Sequence, residues 1–242
     1  MWQNKMIRSC VMMLSLLLWE GMALRAQLPA IAPVMVCTDV DGNENTDKVF
    51  AGSAPIKAMF RLQPSNTEGW TAHYEWRFYR EGKMDSPYLV RYEENTEYTF
   101  VEAGAHYAVC YATFVQGTDT VAYTEDYWSE GPFCITVYES KLEFSNAFTP
   151  NGDGINDIDR AKPGYQSIIA FRAIIFNRWG QKLYEWKDPA GGWDGTYRGK
   201  AVKDGTYYCL VKAKGADGRV YDIKKDVNLL RQHIDEVPDA SR

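Results

Sequence analysis

Two stretches of this chain bring together side chains that could hold an ion. In NGDGIND, Asn151, Asp153, Asn156 and Asp157 offer hard oxygen ligands inside a glycine-rich loop. In DVDGNENTD, Asp39, Asp41, Asn43 and Asn45 alternate, and Asp47 follows. Calcium is held by oxygens of this kind. The set predicted is Asp39, Asp41, Asn43 and Asn45 in one loop, and Asn151, Asp153 and Asp157 in the other. Both loops also have a reading without an ion. The later loop lacks the EF-type alternation that ends in a glutamate, and the Asn and Asp side chains of a turn bond to their own backbone. In the earlier loop Gly42 comes too soon for the usual sharp turn, and a solvated acidic loop is the plain alternative.

Nucleophilic and acid–base chemistry have less support. His73 and His106 fall within predicted strands and His233 lies in the last residues, with no HExxH, no GxSxG and no cysteine in a nucleophile setting beside a histidine. Glu93 and Glu94 are adjacent, so on a strand their carboxylates face opposite ways. The chain reads as a non-enzyme with no cofactor, calcium being the one ion it could take. Aromatic residues are many, with eight Trp and sixteen Tyr, and Tyr123, Tyr127 and Trp128 lie together in VAYTEDYWSEG. That stretch reads as a long acidic connection between strands. Exposed, the cluster would stack on sugar rings or on a protein partner; folded back, it would cover its own domain.

The elements that position these residues are strands. From about residue 30 to 140 the β-rich runs IKAMFRL, HYEWRFYR, PYLVRY, EYTFV, HYAVCYATFV and FCITVY are bounded by turn residues. No amphipathic helical window competes with them. From Phe144 the pattern restarts. IIAFRAIIFN is apolar on both faces, as a central sandwich strand would be, and KLYEW, TYYCLVKA and RVYDIKKDVNLL follow. Gly-Gly and Asp-Gly turns between them supply the positive φ of tight hairpins. The fold class is therefore all-β: two antiparallel β-sandwich domains in tandem, residues 30–140 and 142–231, abutting without a linker.

A chain of 242 residues that is 45% apolar can bury two cores of this size. A net charge of −5 and the lack of a dense Lys/Arg block exclude a phosphate-tracking stripe, so no nucleic-acid partner is expected. Lys5 and Arg8 precede an apolar run at 11–19 that is too short to span a bilayer, and small residues follow. Residues 1–26 read as a secretory signal, cut after Ala26 or alternatively after Ala23. Export exposes thiols to oxidation. Cys10 leaves with the signal, and Cys209 shares parity with Tyr207, Val211 and Ala213, which makes it a buried thiol. Cys110 and Cys134 sit in two apolar strands that could be neighbours, and a bridge between them is favoured over either bridge to Cys37. Residues 232–242 form a polar tail.

Four motifs in the second half line up in order: FTPNGDGIND (148–157), IFNRWGQKLYE (175–185), GWDGTYRGK (192–200) and VKDGTYY (202–208). At this spacing residues 142–231 resemble the gliding-motility-associated C-terminal domain of Bacteroidetes, described as the type B sorting domain of the type IX secretion system. The motif positions are Phe148, Pro150, Asn151, Gly152, Asp153, Gly154, Asn156, Asp157, Asn177, Arg178, Trp179, Gly180, Trp193, Asp194, Gly195, Gly205 and Tyr207. The resemblance implies recognition by an outer-membrane type IX translocon, which would leave the protein at the cell surface or outside it; in a host without that translocon it would stay in the periplasm. No chemistry is implied. Where the family usually has an aromatic residue soon after GIND, this chain has Ile158, Asp159 and Arg160.

Read as physical groups, Gly180 permits a tight reversal, and Trp179 and Trp193 offer flat surfaces that would cover the end of a sandwich. Asp194 can fix its turn by bonding to backbone N–H groups. Residues 30–140 resemble PKD and other immunoglobulin-like modules of exported bacterial proteins, through Trp76 and TFVEAGAHYAV. The expectation is an exported, non-enzymatic envelope or surface protein whose small immunoglobulin-like passenger binds, adheres or assembles, with an envelope protein or a glycan as ligand. The alternative is a carbohydrate- or calcium-binding module of a nutrient-capture system.

Overall fold

The computed structural model describes residues 27–231. The expected signal at 1–26 and the tail at 232–242 lie outside the described residues. Ten strands build the first unit: β1 (Val34–Thr38), β2 (Glu44–Asn45), β3 (Val49–Gly52), β4 (Ile56–Arg61), β5 (Thr71–Arg80), β6 (Leu89–Arg91), β7 (Asn95–Phe100), β8 (Gly104–Gln116), β9 (Asp119–Tyr123) and β10 (Phe133–Val137). One 3-10 turn, Glu125–Trp128, interrupts them. The strands form a sheet ordered β2-β1-β4-β7 and a larger one ordered β3-β10-β8-β5-β6, with β9 also on β8.

Strict alternation explains why these sheets pack on each other. In β4, Ile56, Ala58 and Phe60 point inward while Lys57 and Arg61 point out. Phe60 meets Trp76 at 5.4 Å and Phe78 at 5.3 Å from the facing sheet, so aromatic rings form the seam. Trp76 is fully buried, and its indole N–H donates to the Glu94 carbonyl at 3.2 Å.

The second unit adds β11 (Ala147–Phe148), β12 (Asp159–Arg160), β13 (Ile168–Phe176), β14 (Lys182–Trp186), β15 (Gly192–Trp193), β16 (Thr196–Tyr197), β17 (Lys200–Ala201), β18 (Gly205–Gly215) and β19 (Val220–Leu229). Its main sheet runs β11-β19-β18-β13-β14. Phe171, Ala173, Ile175, Cys209, Val211 and Val227 fill one face. The covering layer is two short ladders, β12 with β15 and β16 with β17, rather than a second broad sheet. The other face is consequently open, and β13 is not buried on both sides: Arg172 and Ile169 are exposed.

Three further differences from the sequence reading have local causes. Two short pairings, β3 with β10 and β11 with β19, are parallel, each where the chain returns to a sheet edge. Residues 121–123, expected at the start of a connection, belong to β9, which forms a hairpin on the far half of β8. The Cys110–Cys134 bridge does not form, and both thiols are free. Register explains this: Cys134 lies opposite Tyr107, an odd number of residues from Cys110, so the two side chains leave opposite faces of the sheet. Cys209 is a free, buried thiol.

The two units meet without a spacer, at the turn between β18 and β19. Ala216 of that turn is packed into the core of the first unit. Its carbonyl accepts from the Ala103 N–H at 3.0 Å, and the buried Ser167 hydroxyl accepts from the Ala54 N–H at 3.1 Å. Ser140, between the units, donates its hydroxyl to Asp217 at 2.7 Å. A Cβ on Gly215 would lie 2.1 Å from the Ser140 oxygen, so only glycine permits this approach.

His106 of β8 is buried with its ring 5.0 Å from that of Phe100, 2.9 Å from the Glu102 carbonyl through Nε2 and 3.1 Å from the Tyr88 hydroxyl through Nδ1. A carbonyl only accepts, so Nε2 carries the proton and Nδ1 accepts from Tyr88. Burial holds the imidazole below its usual value of 6.5. Below that pH the unfolded chain takes up a proton that the folded one resists, so stability is complete above it and falls as pH drops toward 5. The midpoint of thermal unfolding of the full chain is expected to fall between pH 7 and pH 5, with a smaller fall in His106→Gln; an equal fall in both would remove His106 from this role.

Candidate functional site

The four motifs of the second half are scattered over sixty residues of sequence, and the fold gathers three of them around one indole. Trp193 is fully buried and donates its N–H to the Thr196 carbonyl at 2.7 Å. The ring of Phe148 lies 5.4 Å from it and that of Tyr207 lies 5.0 Å away, which joins the first, third and fourth motifs. Asp194 accepts from the N–H and the hydroxyl of Thr196, which fixes the turn below. Gly195 has φ +76, and a Cβ there would meet Leu229 at 2.8 Å and Pro150 at 3.2 Å. Arg231 closes this end: it donates to the carbonyls of Gly195 and Val202 and pairs with Asp204 at 3.0 Å.

NGDGIND crosses above that core as a loop tied by its own carboxylates. Asp157 accepts from the Gly152 N–H at 2.7 Å with one oxygen and from the Gly154 N–H at 2.8 Å with the other. Asp153 accepts from the Ile155 N–H and from the Asn151 amide. Asn156 has φ +55, which an Asn side chain tolerates. In the earlier loop, Asp39 accepts from the N–H groups of Asp41 and Asn43 and from the Asn43 amide. Those bonds hold the Asp39 carboxyl below its usual range, the Asn43 amide first among them. Asn45 and Asp47 bond to each other. In both loops a carboxylate accepts from backbone N–H groups of its own turn: Asp39 in the earlier, Asp153 and Asp157 in the later. No group of three His, Cys, Asp or Glu side chains converges as a metal site among the described residues.

Sequence reasoning missed the group that lies under the second loop. Asp159 is buried and pairs with Lys225 at 2.9 Å; Lys225 also donates to the Ser145 carbonyl and sits 5.2 Å from the ring of Phe144. Burial pushes the Asp159 carboxyl up, and the nearby ammonium opposes this. A signal was present, because Lys225 has the inward parity of β19, opposite Cys209.

Of the two readings of the Tyr-Trp cluster the structure takes the folded-back one, and one other aromatic expectation changes. Tyr123, Tyr127 and Trp128 do not form an exposed platform. The Trp128 indole donates to the Cys110 carbonyl at 2.8 Å and its ring lies in the core, while Tyr123 donates to the Pro29 carbonyl at 2.7 Å. The loop covers its own sheets, and the edge of Tyr127 lines a cleft of about 520 Å³ beside Lys48 and Glu130. Trp179, expected to cover the end of its domain, is instead 75% exposed, because it occupies the tip of the β13–β14 hairpin, where the chain turns away from the core. Asn177 builds that tip: its side-chain oxygen accepts from the N–H groups of Trp179 and Gln181, both at 3.0 Å. Gly180 supplies φ +78, and Gly205, with φ +146, turns the chain into β18 alongside.

Asp157→Ala removes the acceptor of two backbone N–H groups and is expected to lower stability by about 1–2 kcal/mol, since each charged acceptor is partly replaced by water. Chelation with EDTA is expected to leave the wild-type unfolding midpoint unchanged. A midpoint lowered by EDTA and restored by calcium would show that an ion, not the turn, holds the loop.

Comparison with known proteins bears on the same region. No curated protein matches the sequence. Among solved structures, dimeric latent PorU from Porphyromonas gingivalis is 13% identical, with a TM-score of 0.24, 86% of this chain and 21% of that chain covered. The SGBP-B protein of the Bacteroides ovatus mixed-linkage glucan utilization locus, in complex with a mixed-linkage heptasaccharide, is 14% identical with a TM-score of 0.23, 84% of this chain and 47% of that one covered. This chain thus spans about a fifth of the first and about half of the second. Residues 142–224, which contain all four motifs, match the family model of the CHU_C Type IX secretion signal domain.

Proposed function

We propose that the protein is exported to the cell surface, with residues 142–231 acting as a sorting domain for the type IX secretion system and the first unit as its non-enzymatic passenger. The observation that supports this most is the match at residues 142–224, whose motifs gather into one packed cluster. The passenger's own features agree with binding or assembly. His106 is committed to holding Tyr88 and Glu102, and Glu75 is paired with Arg77 at 2.7 Å. In the native host, full-length protein is expected to be digested by protease added to intact cells, and protein lacking residues 142–231 to be protected in the periplasm. Circular dichroism of the purified first unit shows whether it still folds without the turn that packs against it. Equal surface exposure of both, with the first unit folded, would contradict the reading.

A second reading, a passenger that binds neutral glycan, is favoured by one cleft of about 350 Å³ lined by His73, Tyr74, Glu75, Tyr92, Tyr111 and Thr113. Tyr92 is 73% exposed there, and the Arg77 guanidinium lies 4.4 Å from the Tyr111 ring. Open rings with self-neutralised charges suit the apolar face and hydroxyls of a sugar. If so, Tyr92→Ala will weaken binding to a panel of neutral oligosaccharides roughly tenfold, the loss of about 1.4 kcal/mol; no binding by the wild type would end this reading.

A further inference from the structure

Trp179 stands out on the second unit. A tryptophan that is 75% exposed contributes little to its own fold, yet the turn that presents it is built with care. The Asn177 side-chain oxygen accepts two backbone N–H groups, its amide donates to the Gln181 side chain at 3.0 Å, and its backbone N–H donates to the Gln181 carbonyl at 3.0 Å. The tip is thus held in one conformation before anything binds, which lowers the ordering cost of association. The Arg178 guanidinium lies 4.3 Å from the indole, so the tip presents a stacked cation–aromatic pair.

The pair stands at the rim of a groove of about 700 Å³ between the hairpin tip and the turn that leads into β18. Leu183, Tyr197, Val202 and Tyr208 give it apolar walls, and Tyr208 is itself exposed on the open face of the sheet. Its charge runs against that of the chain as a whole. Of the three charged residues that line it, Asp204 is taken by Arg231, while Arg178 and Lys203 have no carboxylate partner among the described residues. A groove with two uncompensated cations, on a chain of net charge −5, is complementary to carboxylates. Trp, Tyr and Arg are also the side chains that most often dominate binding at protein interfaces.

We infer that the Arg178–Trp179 tip and the adjoining groove are the surface by which the export machinery reads this domain, and that the partner surface offers a pocket for the indole with carboxylates at its rim. The inference rests on the reading of residues 142–231 as a sorting domain. It extends that reading by naming the face that is recognised and the chemistry of what recognises it.

The test uses the full chain in its native host, with the surface fraction read by protease digestion of intact cells and folding read by thermal unfolding of each purified variant. Trp179→Ala and Arg178→Glu are expected to unfold within a degree or so of wild type and to reach the surface at least tenfold less, accumulating in the periplasm; Trp179→Phe and Arg178→Lys should restore part of the export. Wild-type protein at the surface with both disruptive variants exported equally well would overturn the inference and leave the sorting reading intact. Wild-type protein confined to the periplasm would overturn the sorting reading itself, and the inference with it. Sedimentation supplies the remaining outcome. A wild-type dimer that Trp179→Ala dissociates, with export unchanged, would assign the face to a second copy of the chain and overturn the inference.

Discussion

Burial of the Trp193 indole is the constraint from which the second half of the molecule is built. A ring of that size can be withdrawn from water only if its N–H finds an acceptor and its faces find neighbours. The Thr196 carbonyl provides the first, and Phe148 and Tyr207 provide the second. Each neighbour comes from a different segment, so packing one side chain fixes where three segments meet. The hydrogen bonds of Arg231 to Gly195 and Val202 then tie the end of β19 to the same place. A short covering layer suffices because one large ring does the work of several smaller residues. The face of β13 and β18 that this layer leaves open keeps Arg172, Tyr208 and Leu210 in contact with solvent.

The first unit is coupled to this arrangement rather than strung beside it. Ala216 packs in one core while Ala213, three residues earlier on the strand before the turn, packs in the other. The contact between Gly215 and Ser140 leaves no room for a side chain. The two units therefore share a boundary made of buried hydrogen bonds, and a change at the turn of residues 215–219 is felt on both sides of it.

Much of this was legible in the sequence, and the exceptions share a cause. β-rich runs bounded by turn residues placed β4, β5, β8, β13 and β18, because such composition is a local property that a short window reveals. Cys209 followed from parity along its strand. The Cys110–Cys134 bridge failed because strand neighbours were visible but register was not; a shift of an odd number of residues sends a side chain to the other face. Trp179 and Trp193 look alike in sequence, each within two residues of a glycine. What separates them is that one sits at a hairpin tip and the other in a ladder, and only the pairing of β12 with β15 tells them apart. Tyr123 and Trp128 were set in a connection because Glu125, Asp126 and Glu130 make the stretch look solvated, whereas the hairpin with β8 and the 3-10 turn after it bring their rings inward. The Asp159–Lys225 pair depends on strands that meet across sixty-six residues and could be seen only as one lysine out of phase.

The central claim is that residues 142–231 suffice as an export signal because their motifs close into one packed unit. Its most direct measurement is to place those residues behind an unrelated periplasmic protein that carries its own secretory signal, express the fusion in the native host, and measure the fraction of that protein open to antibody on intact cells. The account predicts that the fusion appears at the surface and that the same fusion with Trp193→Ala, which undoes the packing of the motifs, stays inside. A correctly folded fusion that remains wholly periplasmic would contradict it.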